Sequence, residues 1–580
     1  MRFDAAQLPF LAGLRFVVVL ALLLIGACRS DSEAVPALPD AATLPDAAEP
    51  ATEGGSNRED ARVDAPDAAV DAGSLMPCGD VSGMGRCASE TRVEVCITQT
   101  GSATPGHLSS YECKDGEVCE FDGNARCKLV VECESGDTRC NDADTLETCV
   151  SGSWASSECA SRCVASALGS SCAPNVPTKS VNGTLRYEAR APNVDLTNWT
   201  DPPSALPARH FVVLSYAGDS VLDATTTDEL GTFSLLAPAT PGADDHLSFV
   251  AAGKDARGQL AFAVADAGHA SSASALREPF SRPPDPSVWS WSTALDAFAN
   301  DQVITLTESA GSGAAHIFET LHAVFHDMEA YYSPKTTPTV VVWVSPGTAW
   351  TCGACMTPFP IDLAGQTFEH QVALDGSAKD QGYWSDAVSA HELGHYVMAA
   401  YGYPPAEGGP HYTGEPTHPG LAWSEGWATF FSSTQRDNAL YYDKQQSMFF
   451  WLDLDARSYA PDTDLDWLRP LANQGLEQLI DENEVAVMLR KTQQSLGAMT
   501  PMLAALASER ARLPPFERGY TQRTWGDDPT MFQDEGTSIP YLADFFDALR
   551  CDNGISAPAL DLITQPAVHY PYLSGSPLCR

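Results

Sequence analysis

At 580 residues the chain is too long for one ordinary domain, and about 150 residues per domain suggests three or four modules. Its 34 Lys and Arg against 76 Asp and Glu leave a net charge of -42, which repels phosphate backbones and excludes nucleic acid as a partner. With 44% hydrophobic residues it can still bury sizeable cores, so the acidity belongs to surfaces and tails.

Arg2 and Arg15 precede an apolar run from Phe16 to Ile25, which leads into Ile25-Gly26-Ala27-Cys28. The run is far shorter than the ~20 residues a membrane-spanning helix needs. It resembles a bacterial lipoprotein signal peptide with its lipobox. The resemblance implies that residues 1–27 are removed, that Cys28 is acylated, and that the lipid on Cys28 is the only membrane contact. Arg29, where an Asp would signal inner-membrane retention, points to the outer membrane or cell surface. Residues 28–77 are dominated by Ala, Asp, Glu and Pro and are expected to be a disordered, extended tether.

Twelve cysteines between Cys78 and Cys172 form two units of six, Cys78, Cys87, Cys96, Cys113, Cys119 and Cys127, then Cys133, Cys140, Cys149, Cys159, Cys163 and Cys172. Each unit has an Arg-Cys pair, Arg86-Cys87 and Arg139-Cys140, with eight residues before its third cysteine. In an exported chain, so short and core-poor a repeat is a disulfide framework of open connectivity. No Cys-x-x-Cys knuckle of a zinc site occurs within residues 78–172. The pair is expected to act as a stalk.

Short alternating runs, among them His210 to Tyr216 and Gly231 to Leu236, place a small antiparallel β-sandwich at 179–275. The stretch Thr227-Asp228-Glu229-Leu230-Gly231-Thr232-Phe233 resembles a turn of carboxypeptidase-regulatory-like modules, which space or support a neighbour.

Residues 285–580 hold the chemistry. Helical spacing of Ile317, Leu321, Phe325 and Met328 predicts a helix over 311–332, and Thr339 to Val344 reads as a buried strand. Gln366 to Leu374 alternates as a further strand, taken as an exposed sheet edge open to an extended peptide. Asp386 to Tyr401 is a helix carrying His391-Glu392-Leu393-Gly394-His395, whose histidines share one face and can reach one cation. Cys352 and Cys355 are expected to pair locally and Cys551 with Cys579, while 484–496, 501–512 and 541–551 form a mostly helical final lobe.

This pentad is the zincin pattern. Met398 and Tyr401 stand where a metzincin needs Gly and His, which excludes that subclass. Trp423-Ser424-Glu425-Gly426-Trp427-Ala428 resembles the Trp-x-x-Glu-Gly-Phe-Ala stretch of gluzincins of the aminopeptidase N kind, with one residue fewer between Trp and Glu. The resemblance implies one catalytic zinc on His391, His395 and Glu425, with Glu392 as general base toward a zinc-activated water, in an α+β zincin-like domain. Three departures stand beside it. The 29 residues between His395 and Glu425 include an inserted loop, Thr429 replaces an Asp that supports a ligand histidine, and no Gly-x-Met-Glu-Asn segment precedes the pentad. The last favours endopeptidase over exopeptidase action on protein or peptide substrates. From the loop, His411 or His418 is an alternative ligand, and His411, His418 or Tyr412 a candidate oxyanion donor. The competing reading is an adhesive or binding lipoprotein whose zincin domain is catalytically silent.

Overall fold

The computed structural model describes residues 86–97 except 90, 107–113, 117–121, 125–129, 133, 136–460, 480–512 and 542–564, with breaks at 257, 268–275, 278–285, 333–336, 406–410, 412–415, 418 and 446. The expected signal peptide, tether and acylated Cys28, together with Tyr412, His418 and Cys579, lie outside the described residues. Two compact units emerge, Met1–Asp80 with Cys96–Ser109, and Val81–Val95 with Ser110–Arg580. Of the first, only the ends of the strands Arg92–Ile97 and His107–Glu112 are described. All that follows belongs to the second.

Disulfides form in the cysteine-rich repeat. In its second unit Cys133 pairs with Cys149, Cys140 with Cys163 and Cys159 with Cys172, which links the six cysteines 1–3, 2–5 and 4–6. In the first unit Cys87 pairs with Cys119, again 2–5. Short strands such as Thr145–Val150 and Ser153–Glu158 carry few buried side chains, so the covalent links supply what the core cannot.

Beyond the repeat, the first half of β1 (Thr178–Ala189) pairs antiparallel with β5 (Thr232–Pro238) and its end with β2 (Ser204–Pro207). Its inward residues Val181, Leu185, Tyr187 and Ala189 alternate with more exposed ones. A second sheet has the order β4 (Ser220–Thr226), β3 (Val212–Ala217), β6 (His246–Val250) and β9 (Ser290–Ala294), all antiparallel. The β-sandwich does not stop at residue 275. β10 (Gln302–Leu306) lies parallel to β1, and β8 (Leu260–Asp266) joins a six-stranded mixed sheet with the strands that follow.

That sheet runs β7 (Ala252–Lys254), β8, β11 (Val340–Trp343), β13 (His370–Ala373) and β12 (Cys355–Thr357), with Ser287–Val288 beside β8. The pairs β8/β11 and β11/β13 are parallel, and β12 is antiparallel at the end. Val340 to Trp343 are buried on both faces, as parallel interior strands require. One face receives α1 (Ser312–Tyr332), whose Phe318 and Phe325 pack on Phe262. Val341, Trp343 and Phe368 fill the other.

The edge expected at Gln366–Leu374 is not there. That stretch splits into Gln366–Phe368, which pairs with Ile361–Leu363, and β13, which lies inside the sheet with all four residues buried. The edge is β12, because residues 344–369 fold back and lay Cys355–Thr357 outside β13. Cys352 and Cys355 are bonded at its entrance, and Cys551 is also disulfide-bonded.

From β13 the chain enters α2 (Asp386–Tyr401). Ser385 caps it, accepting from Val388 N at 3.1 Å and donating to Tyr442 O at 2.7 Å. α3 (Pro419–Gln435) packs on α2, the hairpin β14 (Leu440–Gln445) and β15 (Met448–Asp453) follows, and α4 (Glu482–Leu496) packs on α3. α5 (Thr500–Leu506) and α6 (Leu542–Cys551) complete the helical end, among eight α-helices in the described residues.

Candidate metal centre

Two glycines bring three helices close enough to build the site. A Cβ on Gly394 of α2 would lie 2.9 Å from Ala428 Cα of α3, and one on Gly426 would lie 2.5 Å from Val485 Cβ of α4. At the first crossing Trp427 Nε1 donates to Gly394 O at 3.1 Å. The near approach of α3 carries Glu425 to the histidine pair. His391 Nε2 is 3.1 Å and His395 Nε2 3.2 Å from Glu425 Oε2, and the three donor atoms lie within 4.8 Å of one another.

The far nitrogen of each imidazole is also held. His391 Nδ1 is 3.1 Å from Thr429 Oγ1, and His395 Nδ1 is 3.1 Å from Ser424 Oγ. A partner on Nδ1 fixes the ring and leaves Nε2 to face the centre. Thr429 and Ser424 thus each hold one imidazole of the pair by a hydroxyl.

Burial raises the Glu392 carboxyl above its ordinary range, against the pull of His391 and His395. Burial would raise Glu425 too, but His395 and His411 together with hydrogen bonds from His391 and His395 outweigh it and hold that carboxyl well below the usual range. Burial opposes the charged form of His395, while Glu425 and Glu392 favour it and raise its pKa. Two imidazole nitrogens and a carboxylate oxygen suit a divalent ion of borderline softness. Glu392 Oε2, buried beside them, has no hydrogen-bond partner among the described residues. An orphaned buried carboxylate oxygen is costly. The residues therefore fit a buried metal ion with a further polar ligand or water next to Glu392.

Of the loop candidates, His411 reaches the site. Its Nε2 is 3.8 Å from Glu425 Oε2, farther than either His391 or His395, so it does not displace Glu425 from the donor group. Its Nδ1 is 2.6 Å from Glu482 Oε2. Burial opposes its charge, but Glu482 and Glu425 win and push its pKa up to about 10.

Sequence reasoning did not single out Glu482, which reads as an acidic helix start and lies 71 residues from its partner. It also missed Tyr441 of β14, whose ring meets that of His391 edge-on at 5.7 Å. Burial raises its phenol well above the ordinary value, so it stays protonated. A Tyr-Tyr pair in an alternating strand carries no signal that one ring faces a metal centre. Compared with family models, curated proteins and solved structures, the chain matches none.

Proposed function

We propose that the protein is a zinc-dependent, gluzincin-like peptidase, an endopeptidase tethered to the bacterial cell envelope through Cys28 and acting on proteins or peptides. The observation that carries this reading is the buried Oε2 of Glu392, without a hydrogen-bond partner among the described residues, beside a two-histidine, one-glutamate donor group. His391, His395 and Glu425 would hold the ion. When bound, zinc acidifies water and polarises a carbonyl. Glu392 takes the proton of the attacking water and delivers it to the leaving amine, a role that its raised pKa favours. His411, oriented by Glu482, donates a hydrogen bond to the oxyanion that develops on the scissile carbonyl. The outer side of β12, which packs near α2, pairs with an extended substrate backbone, as an endopeptidase requires.

Glu392→Gln tests the assignment. With zinc content held near one per catalytic centre, hydrolysis of a generic protein substrate should fall about 10²–10⁴-fold. Near-normal cleavage by this variant overturns the mechanism, and bound zinc without cleavage in the wild type returns the adhesive-lipoprotein reading.

A further inference from the structure

We infer that His210, His322 and His326 form a second metal site, one that takes a transition-metal ion with a preference for imidazole, such as Zn2+, Cu2+ or Ni2+. α1 presents His322 and His326 one turn apart, the spacing that α2 uses for His391 and His395. His210 comes from outside the helix, just before β3, in a left-handed conformation with φ 65°. Its ring lies parallel to that of His322 at 4.0 Å, and His322 lies 4.4 Å from His326. Three imidazoles are thus contiguous.

Their outer shell is that of metal ligands. His210 Nε2 lies 3.2 Å from Glu229 Oε1, and His326 Nδ1 lies 2.8 Å from Glu329 Oε2. A carboxylate behind one nitrogen orients a ring and raises the basicity of the other, and each outer histidine keeps that other nitrogen out of the carboxylate contact. The central His322 makes no hydrogen bond to any described residue and sits among rings, including Phe262 at 5.8 Å. Nearby Arg209 is tied to Glu319, with its Nε 2.6 Å from Oε2, and also approaches Glu229 at 3.7 Å. His210 and His326 have side chains 33% and 41% exposed, so a core-filling role does not account for them.

As the rings stand, their donor nitrogens do not all lie within 4.8 Å of one another, as those of the His391 group do, and the parallel His210 and His322 rings must turn out of their stack to share an ion. It would also link the segment before β3 to α1, which makes thermal stability a readout independent of hydrolysis.

The test uses the full chain, stripped with a chelator and titrated with Zn2+ in competition with a chromophoric chelator. The wild type should take two equivalents, the His322→Ala/His326→Ala variant one, and the His391→Ala/His395→Ala variant one, with zinc still raising the unfolding temperature of the last. Glu329→Gln should weaken the second equivalent about 10–100-fold and leave the first unchanged. His210→Ala should weaken it at least as much, and lying outside α1 it carries the test if the helix variant does not fold. Zinc binding by the wild type that is indifferent to both His210 and His322/His326, whatever its stoichiometry, overturns the inference. Failure of the peptidase reading is read separately, from the His391→Ala/His395→Ala variant.

Discussion

Gly426→Ala offers a quantitative test of how the metal centre is assembled. The new methyl would sit 2.5 Å from both Cβ and Cγ1 of Val485 and 2.7 Å from Glu482 O, against about 3.5–4.0 Å for ordinary carbon contacts. Neither obstacle can turn aside. Val485 is fully buried and branched at Cβ, and the other is a main-chain oxygen. α4 must therefore retreat by about 1 Å, a cost at the upper end of the ~1–3 kcal/mol range for overpacking. The helix-propensity gain of Ala over Gly returns ~1 kcal/mol. The net is a loss of about 2 kcal/mol, or roughly 2–4 °C in unfolding temperature for a folding piece of this size. Calorimetry of the wild type, Gly426→Ala, Val485→Ala and the double variant gives the answer. Trimming Val485 should return part of the loss, with a coupling of about 0.5–3 kcal/mol. Because Gly426 adjoins Glu425 and Glu482 carries His411, zinc affinity should fall as well. A variant as stable as wild type, or one uncoupled from Val485, would show that α3 and α4 are not in the contact described.

Other expectations concern the rest of the site and the repeat. Ser424→Ala and Thr429→Ala should each weaken zinc binding about 10–100-fold without unfolding the protein, measured by competition with a chelator. Asp443 is buried, and burial raises its pKa to about 7. Between pH 4 and 7 the unfolded chain has released this proton while the folded chain keeps it, so stability falls as pH rises and the loss is complete above pH 7. Asp443→Asn should remove that slope and raise stability at pH 8 by at most about 4 kcal/mol. Urea melts of chelator-treated wild type and variant at pH 5 and pH 8 will show equal slopes if this is wrong. Peptide mapping of the non-reduced protein should find Cys78 joined to Cys96 and Cys113 to Cys127, the links that the 1–3 and 4–6 pairs of the second unit imply for the first.

The sequence was most legible where the information is local. The pentad on α2 follows from helical spacing alone, and α1, β11 and α6 fall within a residue or two of their hydrophobic patterns. Glu425 required a resemblance, since a single acid on a second helix has no periodicity of its own. Thr429 and Ser424 are hydroxyls whose role depends on the angle at which α3 meets α2. Strand order was the least legible. The run Leu260–Asp266 announces a buried strand, but nothing in it says that its neighbour is Val340–Trp343 rather than a sandwich strand. The same nonlocality exchanged the inner β13 for the edge β12.

The pairing of Phe262 with Val340 and of Val264 with Val342 has an evolutionary corollary. A recombination event that transplanted residues 285–580 alone would deliver a sheet stripped of β7 and β8, and a first helix deprived of the Phe262 floor on which it rests. The sandwich and the half that carries the His391 group therefore stand or fall as a single folding piece, and the second cysteine-stapled unit is fastened to it as well, through Arg162 on Asp223 and Leu222.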